Sequence, residues 1–189
     1  MEPTTNLTYT VDASDRLVAV DAAFREFALA NEWPEGAGSS VLGRELWSFF
    51  ADPETRVLWQ SLFARARAGS PVAVTIRCDA PEARRLFELR LSSSPRGDVT
   101  IESRTLSETA RVRAEIWSRA VPRGTDPLRA CSWCKRIRTG DGRWLEVEEA
   151  VEALGLLRGP ALPLVSHGIC PDCDREVRRA AGLGTSGPG

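Results

Sequence analysis

With 189 residues, 42% of them apolar, the chain has room for one medium domain and a small companion, and enough apolar residues to exclude disorder throughout. Its 25 basic and 26 acidic residues leave a formal charge of −1, which excludes a globally basic nucleic-acid binder but leaves room for a local basic patch. No basic-then-apolar leader opens the sequence and no apolar run approaches a membrane span, so the expectation is a soluble, cytoplasmic chain with no membrane partner, its thiols reduced.

Taken in chain order, "LTYTV" and "RLVAV" flank the turn composition "DASD" and predict a hairpin. Asp21 is placed to cap a helix over "AAFREFALAN", with Phe24, Phe27 and Ala28 on one face. A Gly/Ser loop, "EGAGSSVLG", leads into "RELWSFF". Pro53 then opens a second helix that runs to about Ala68 and stops at Gly69. Its apolar stripe is Leu58, Trp59, Leu62, Phe63 and Ala66. Three strands follow. "VAVTIRC", "RRLFELRL" and "DVTIESRTL" alternate strictly, with Val72, Val74, Ile76 and Cys78, then Phe87, Leu89 and Leu91, then Val99 and Ile101 pointing one way. Such alternation gives one packed and one wet face, as in an antiparallel sheet. Cys78 is read there as a small buried hydrophobe, with a reactive role as the alternative. Residues 106–120 read as a charged helix ending before Pro122, and "PRGTDP" as a turn-rich linker.

Four of the five cysteines stand as two C-x-x-C pairs, Cys131/Cys134 and Cys170/Cys173. Two intervening residues let a tight knuckle aim both sulfurs at one point, and two such pairs supply the four soft ligands of a tetrahedral structural Zn2+ site. The 35 residues between Cys134 and Cys170 exceed the roughly 15–20 of a compact two-pair finger. The excess reads as a hairpin over "KRIRTGDGRWLEV", a helix over "EVEEAVEAL" with Val147, Ala150, Val151 and Leu154 on one face, and a loop back through "GLLRGPALPLVSHG". "DREVRRAAG" then reads as a helix whose positive end supports thiolate at the second pair. His167, the sole histidine, precedes Cys170 by three residues; it is read as orienting a thiolate or the loop, with direct ligation as the alternative. Trp133 and Trp144 are expected to cover the metal. A redox or haem role and plain buried thiols stay open for the four cysteines, and iron stays open beside zinc.

Two resemblances extend this reading. The order of two strands, helices and three strands, with "VDAAFREFA" after the second strand and "VLGRELWSFF" before the long helix, resembles a PAS domain, a sensory α+β fold with helices against a five-stranded antiparallel sheet. "CSWCKRIRTGDGRWLEVEEAV" with "SHGICPDC" resembles a module found in bacterial signalling proteins after PAS or receiver domains. The matching positions include Lys135, Arg136, Ile137 and Arg138, then Gly142, Trp144 and Glu148, then Ser166 to Pro171. The knuckle, hairpin and second pair leading into a helix are similar to a treble-clef-like zinc finger with an inserted helix. These resemblances imply a PAS-like domain at 5–108, a helical linker and turn at 109–128, a zinc-finger-like domain at 129–182 and a flexible tail at 183–189.

The expected function is a non-catalytic signalling sensor or adaptor, in which a PAS-like domain binds an unidentified ligand or partner and the finger docks a signalling protein. PAS-like domains also pair, which makes a homodimer an expectation. Phe24, Phe27, Trp47, Phe50, Trp59, Phe63 and Phe87 are candidates to line an internal cavity, against the plainer reading that they fill the core. No phosphate loop and no Ser–His–Asp set is present, and four cysteines leave zinc no open position for water. A nucleic-acid-binding regulator is the alternative: Arg129, Lys135, Arg136, Arg138 and Arg143 face only Asp141 within 129–145, a local +4. The four glutamates of "EVEEAVEA" would repel phosphate, and nucleic acid is disfavoured for that reason. A thiol redox switch, releasing zinc on oxidation, is the third reading.

Overall fold

The computed structural model describes residues 6–118, 120–156 and 161–184. β1 (Asn6–Val11) and β2 (Leu17–Val20) form the expected hairpin, its turn closed by Asp15 in the left-handed region. α1 (Ala22–Ala30) starts where Asp21 accepts the Phe24 backbone N–H at 2.7 Å, which satisfies one of the orphan donors of a helix start. A short α2 (Pro34–Ala37) and two 3-10 turns lead to α3 (Pro53–Arg67), capped by Asp52. All five residues of the predicted α3 stripe are buried, Leu58 and Leu62 completely. β3 (Val72–Arg77), β4 (Ala83–Ser93) and β5 (Val99–Ala110) complete an antiparallel sheet of order β2-β1-β5-β4-β3. Its inner face presents Val11, Val72, Phe87, Leu91 and Ile101, and α3 covers it. The architecture is therefore mixed α+β, as the alternation predicts.

Three elements differ from the sequence expectation. Among the described residues the expected helix over 106–120 is absent: β5 continues to Ala110, paired with β4 as far back as Ala83, and a 3-10 turn at Glu115–Trp117 follows. β4 offers an eleven-residue partner, and Thr105, Ser107 and Thr109 sit well on a pleated surface, so pairing overrides the local helix propensity. The expected linker at 122–127 is part of β6 (Arg123–Cys131), in which Pro127 is tolerated because the ladder shifts register between Arg123 and Pro127. The segment read as a loop back contains β9 (Leu162–Gly168), which pairs parallel to β6; residues 157–160 of that segment lie outside the described residues. In the tail, Leu183 packs against the core, and 185–189 lie outside the described residues, as does residue 5 at the expected domain start.

The second sheet has the order β8-β7-β6-β9, with β7 (Ile137–Arg138) and β8 (Trp144–Leu145) forming the predicted hairpin. Gly142 takes a φ of 86° in its turn, a conformation that favours glycine. α4 (Val147–Ala153) packs Val147 and Ala150 onto this sheet, while Leu154 stays exposed; α5 (Pro171–Ala180) runs on from the second cysteine pair. The two sheets share one core: Cys131, Trp133, Cys170, Cys173 and Val177 belong to the same apolar cluster as Leu58, Trp59 and Val72. No described helix is long and apolar enough to cross a membrane.

Candidate metal centre and adjoining cavity

The end of β6 and the start of α5 bring the two C-x-x-C pairs together. Cys131 closes the strand, and the chain turns back at once: the Lys135 N–H donates to the Cys131 carbonyl and the Cys131 N–H to the Arg136 carbonyl. Lys135 takes a φ of 64° to make that turn. Cys170 occupies the N-cap of α5, where its sulfur accepts the Cys173 N–H at 3.5 Å, and Pro171 at the first helical position has no N–H to leave unpaired. The Cys131 sulfur accepts from the backbone of Cys134 at 3.5 Å and of Cys170 at 3.3 Å, so the second knuckle also supports the first.

All four sulfurs lie within 4.8 Å of one another, and Cys134 and Cys170 are 3.8 Å apart. The edge of a sulfur tetrahedron around a metal with bonds of ~2.3 Å is ~3.8 Å, so the residues present fit a four-thiolate ion. The electrostatics agree. Hydrogen bonds from Cys134, and then from Cys170 and Cys173, hold the Cys131 thiol far below its ordinary range, while Cys134 and Cys173, donating to it, are pushed up. Four crowded thiols ionise together only when a cation shares their charge. The four cysteines are therefore a possible metal site.

His167 stands outside this cluster. It lies on β9 opposite Ala130, exposed, and borders the cavity described below. At Gly168 a side chain would meet the Arg129 guanidinium, which lies across it, and the Gly168 carbonyl accepts from the Ser132 N–H at 2.7 Å. Trp133 does not cover the metal site from outside. It turns inward, 4% exposed, stacks on Trp59 with ring centres 5.1 Å apart, and donates its indole N–H to the Thr75 carbonyl at 2.7 Å. Its own carbonyl accepts the Arg77 N–H at 2.8 Å, so the first knuckle seals the free edge of β3. Trp144 is half-buried against the same core.

A cavity of about 890 Å³ opens between α1, the inner face of the first sheet and one side of the second. Of the seven aromatic candidates, Phe24, Phe27 and Phe87 line it, together with Tyr9 and Trp33, which the sequence reading missed. Tyr9 was available from the period-2 pattern of β1, where Leu7, Tyr9 and Val11 share a face. Trp47, Phe50, Trp59 and Phe63 lie elsewhere: their rings form a ladder of contacts at 5.1–6.0 Å that ends on Trp133. Cys78 borders the cavity, half-buried just past β3. The second sheet contributes Arg123, Val165 and His167 to the wall.

The charged residues join the sheets rather than forming a free basic face. Asp79, with no side-chain exposure, holds Arg77 at 2.5 Å and Arg111 at 3.0 Å. Those arginines reach across to α4 and its cap: Arg77 to Glu146 at 2.7 Å and Arg111 to Glu148 at 2.6 Å. Of the five cations counted in 129–145, Arg129 pairs with Glu54, Arg136 with Glu146 and Arg143 with Asp141. Glu54 and Glu146, both outside the counted stretch, thus offset two of the four surplus charges.

No family model matches the chain, and no curated protein matches it. Among solved structures, a domain of an HTR-like protein from Haloarcula marismortui aligns with a TM-score of 0.35 and 12% identity, over 55% of this chain and 99% of that one. A likeness at that level carries no argument about fold or role.

Proposed function

We propose that the chain is a non-catalytic sensor or adaptor of signal transduction, in which a PAS-type ligand-binding unit is joined to a treble-clef-like module held by structural zinc. The observation that carries this reading is the seating of Trp133. The residue between two metal ligands is also a core residue of the sheet that bounds the cavity, so the state of one unit is felt in the other. Zinc is the ion proposed because four thiolates at tetrahedral spacing are its characteristic structural set, and a closed set leaves no position for hydrolytic water. The faces left to α4 and α5 are then available for a protein partner. Metal analysis of the purified protein tests the first half, with one zinc per chain expected. A pull-down from the native host with wild type and Cys170→Ser tests the second: a signalling protein should be retained by the first and lost with the second. Iron in place of zinc, or equal retention by both, removes that half of the reading.

A further inference from the structure

The cavity has an apolar end and a cationic end, and the cation lacks the partner its surroundings demand. Tyr9, Phe24, Phe27 and Phe87 form the apolar end, with Tyr9 against Phe24 and Phe27 against Phe87 edge to face at 5.6 and 5.7 Å. At the other end stands Arg123, at the start of β6. Its Nη2 donates to the carbonyls of Ser118 at 2.6 Å and Ile116 at 3.0 Å, and its Nη1 to that of Pro163 at 3.4 Å. These contacts leave its Nε–H and one Nη1 proton unused. Among the described residues no carboxylate lies within ion-pair distance of it.

The acids that border the cavity are engaged elsewhere. Asp79 is shared by Arg77 and Arg111, Glu82 pairs with Arg113, and Glu32 accepts from the Ser118 hydroxyl and the Ala120 N–H. Burial draws the Arg123 pKa below its ordinary value, the sign of a charge with too little water and no counter-ion. At the apolar end, burial pushes the Tyr9 phenol up to about 12, so its hydroxyl is protonated, and among the described residues it has no hydrogen-bond partner.

We propose that this cavity binds a small aromatic carboxylate, its ring against Phe24, Phe27 and Phe87 and its carboxylate on the free N–H groups of Arg123. The proposal rests on the ligand-binding reading above and adds the chemical class. Three observations select it. A half-buried guanidinium without a carboxylate is satisfied by an anion that brings its own apolar body. Ring edges and faces at the opposite end favour a flat aromatic body over a sugar or a polyamine. The volume of about 890 Å³ is in the range of small-molecule sites. Because Arg123 belongs to the second sheet and the rings to α1 and the first sheet, the ligand would bridge the two units.

The test uses the full-length, metal-loaded protein and a matched pair of probes, 1-naphthaleneacetate and its neutral analogue 1-naphthaleneacetamide, titrated by calorimetry. The acid should bind at least ~10-fold more tightly than the amide, the value of one charge-assisted contact. Arg123→Gln should lose ~10-fold for the acid and change the amide by less than ~2-fold, while Arg123→Lys should retain most of the preference. Since Arg123 also ties three carbonyls, thermal melting accompanies each variant; if Arg123→Gln melts early, the wild-type acid–amide comparison and Arg123→Lys still decide. Equal binding of acid and amide overturns the carboxylate assignment and leaves the ligand-binding reading standing. No binding of either probe up to about 1 mM overturns both.

Discussion

Replacing Trp133 with alanine measures how firmly the cysteine module is seated on the first sheet. Trp133 is 4% exposed, stacked on Trp59, and bonded to the Thr75 carbonyl. Truncating a buried tryptophan costs about 3–5 kcal/mol through lost transfer and the cavity left behind. The Thr75 carbonyl, stripped of its donor, adds ~1 kcal/mol. The sum of ~4–6 kcal/mol is a large part of the ~5–15 kcal/mol typical of a folded domain, and corresponds to a drop in melting temperature on the order of 10–20 °C. The backbone bond from Arg77 and all four thiols are untouched, so the metal should stay. The assay is denaturant unfolding of the metal-loaded protein with metal content measured on the same sample. Trp59→Ala and the double variant complete a cycle whose coupling should be about 0.5–1.5 kcal/mol for the ring pair. A Trp133→Ala protein within about 1 kcal/mol of wild type would refute the seating argument.

Cys170→Ser should empty the metal site, because its sulfur is both ligand and helix cap, whereas His167→Ala should keep one metal per chain; metal analysis of both separates them, and a His167→Ala protein without metal would overturn the four-cysteine set. Asp79→Asn leaves Arg77 and Arg111 without their shared counter-ion in a site where Asp79 has no side-chain exposure, and should cost about 3–5 kcal/mol in denaturant unfolding. Asp141 is held at about 2, below the usual 3.8, by hydrogen bonds from Thr139 and then Arg143. Since its folded pKa is depressed, its support for the β7–β8 turn is complete above about pH 4 and fades as pH falls towards 2; an NMR titration of its carboxyl should show that midpoint, and a midpoint at 3.8 would show the turn is not bonded as described.

What could be read from the sequence was what local chemistry decides. The Asp21 cap, the α3 stripe from Leu58 to Ala66 and the period-2 strands need only neighbours along the chain, and the C-x-x-C spacing sets each knuckle by itself. What escaped was decided at long range. Residues 106–110 look helical until the length of β4 is known, and "GPALPLVSHG" looks like a loop until β6 stands beside it to form a parallel pair. The same distance effect misplaced the aromatic residues. Phe24, Phe27 and Phe87 face open space whereas Trp47, Phe50, Trp59 and Phe63 do not, because Trp133, 70 residues or more away in sequence, fills the position beside Trp59. The signal for that was present in "CSWC": an apolar residue inside a metal knuckle must either cover the ion or bury itself in a neighbour.

That placement also joins the two units. Ser132 and Trp133 are the residues between Cys131 and Cys134, so any ion that fixed those two cysteines would fix Trp133 as well, and a Trp133 seated on Trp59 holds the knuckle in one shape. If the four cysteines hold an ion, its affinity and the seating of Trp133 form one linked equilibrium, in which each favours the other by the same factor. Lys135 follows Cys134 directly and borders the cavity, and β9, which carries Val165 and His167 into its wall, ends two residues before Cys170. The cavity wall on this side is thus built from the segments that carry the four cysteines. A ligand that tightens the wall would raise the hold on the metal, and loss of the metal would loosen the site for the ligand, without any contact between the two.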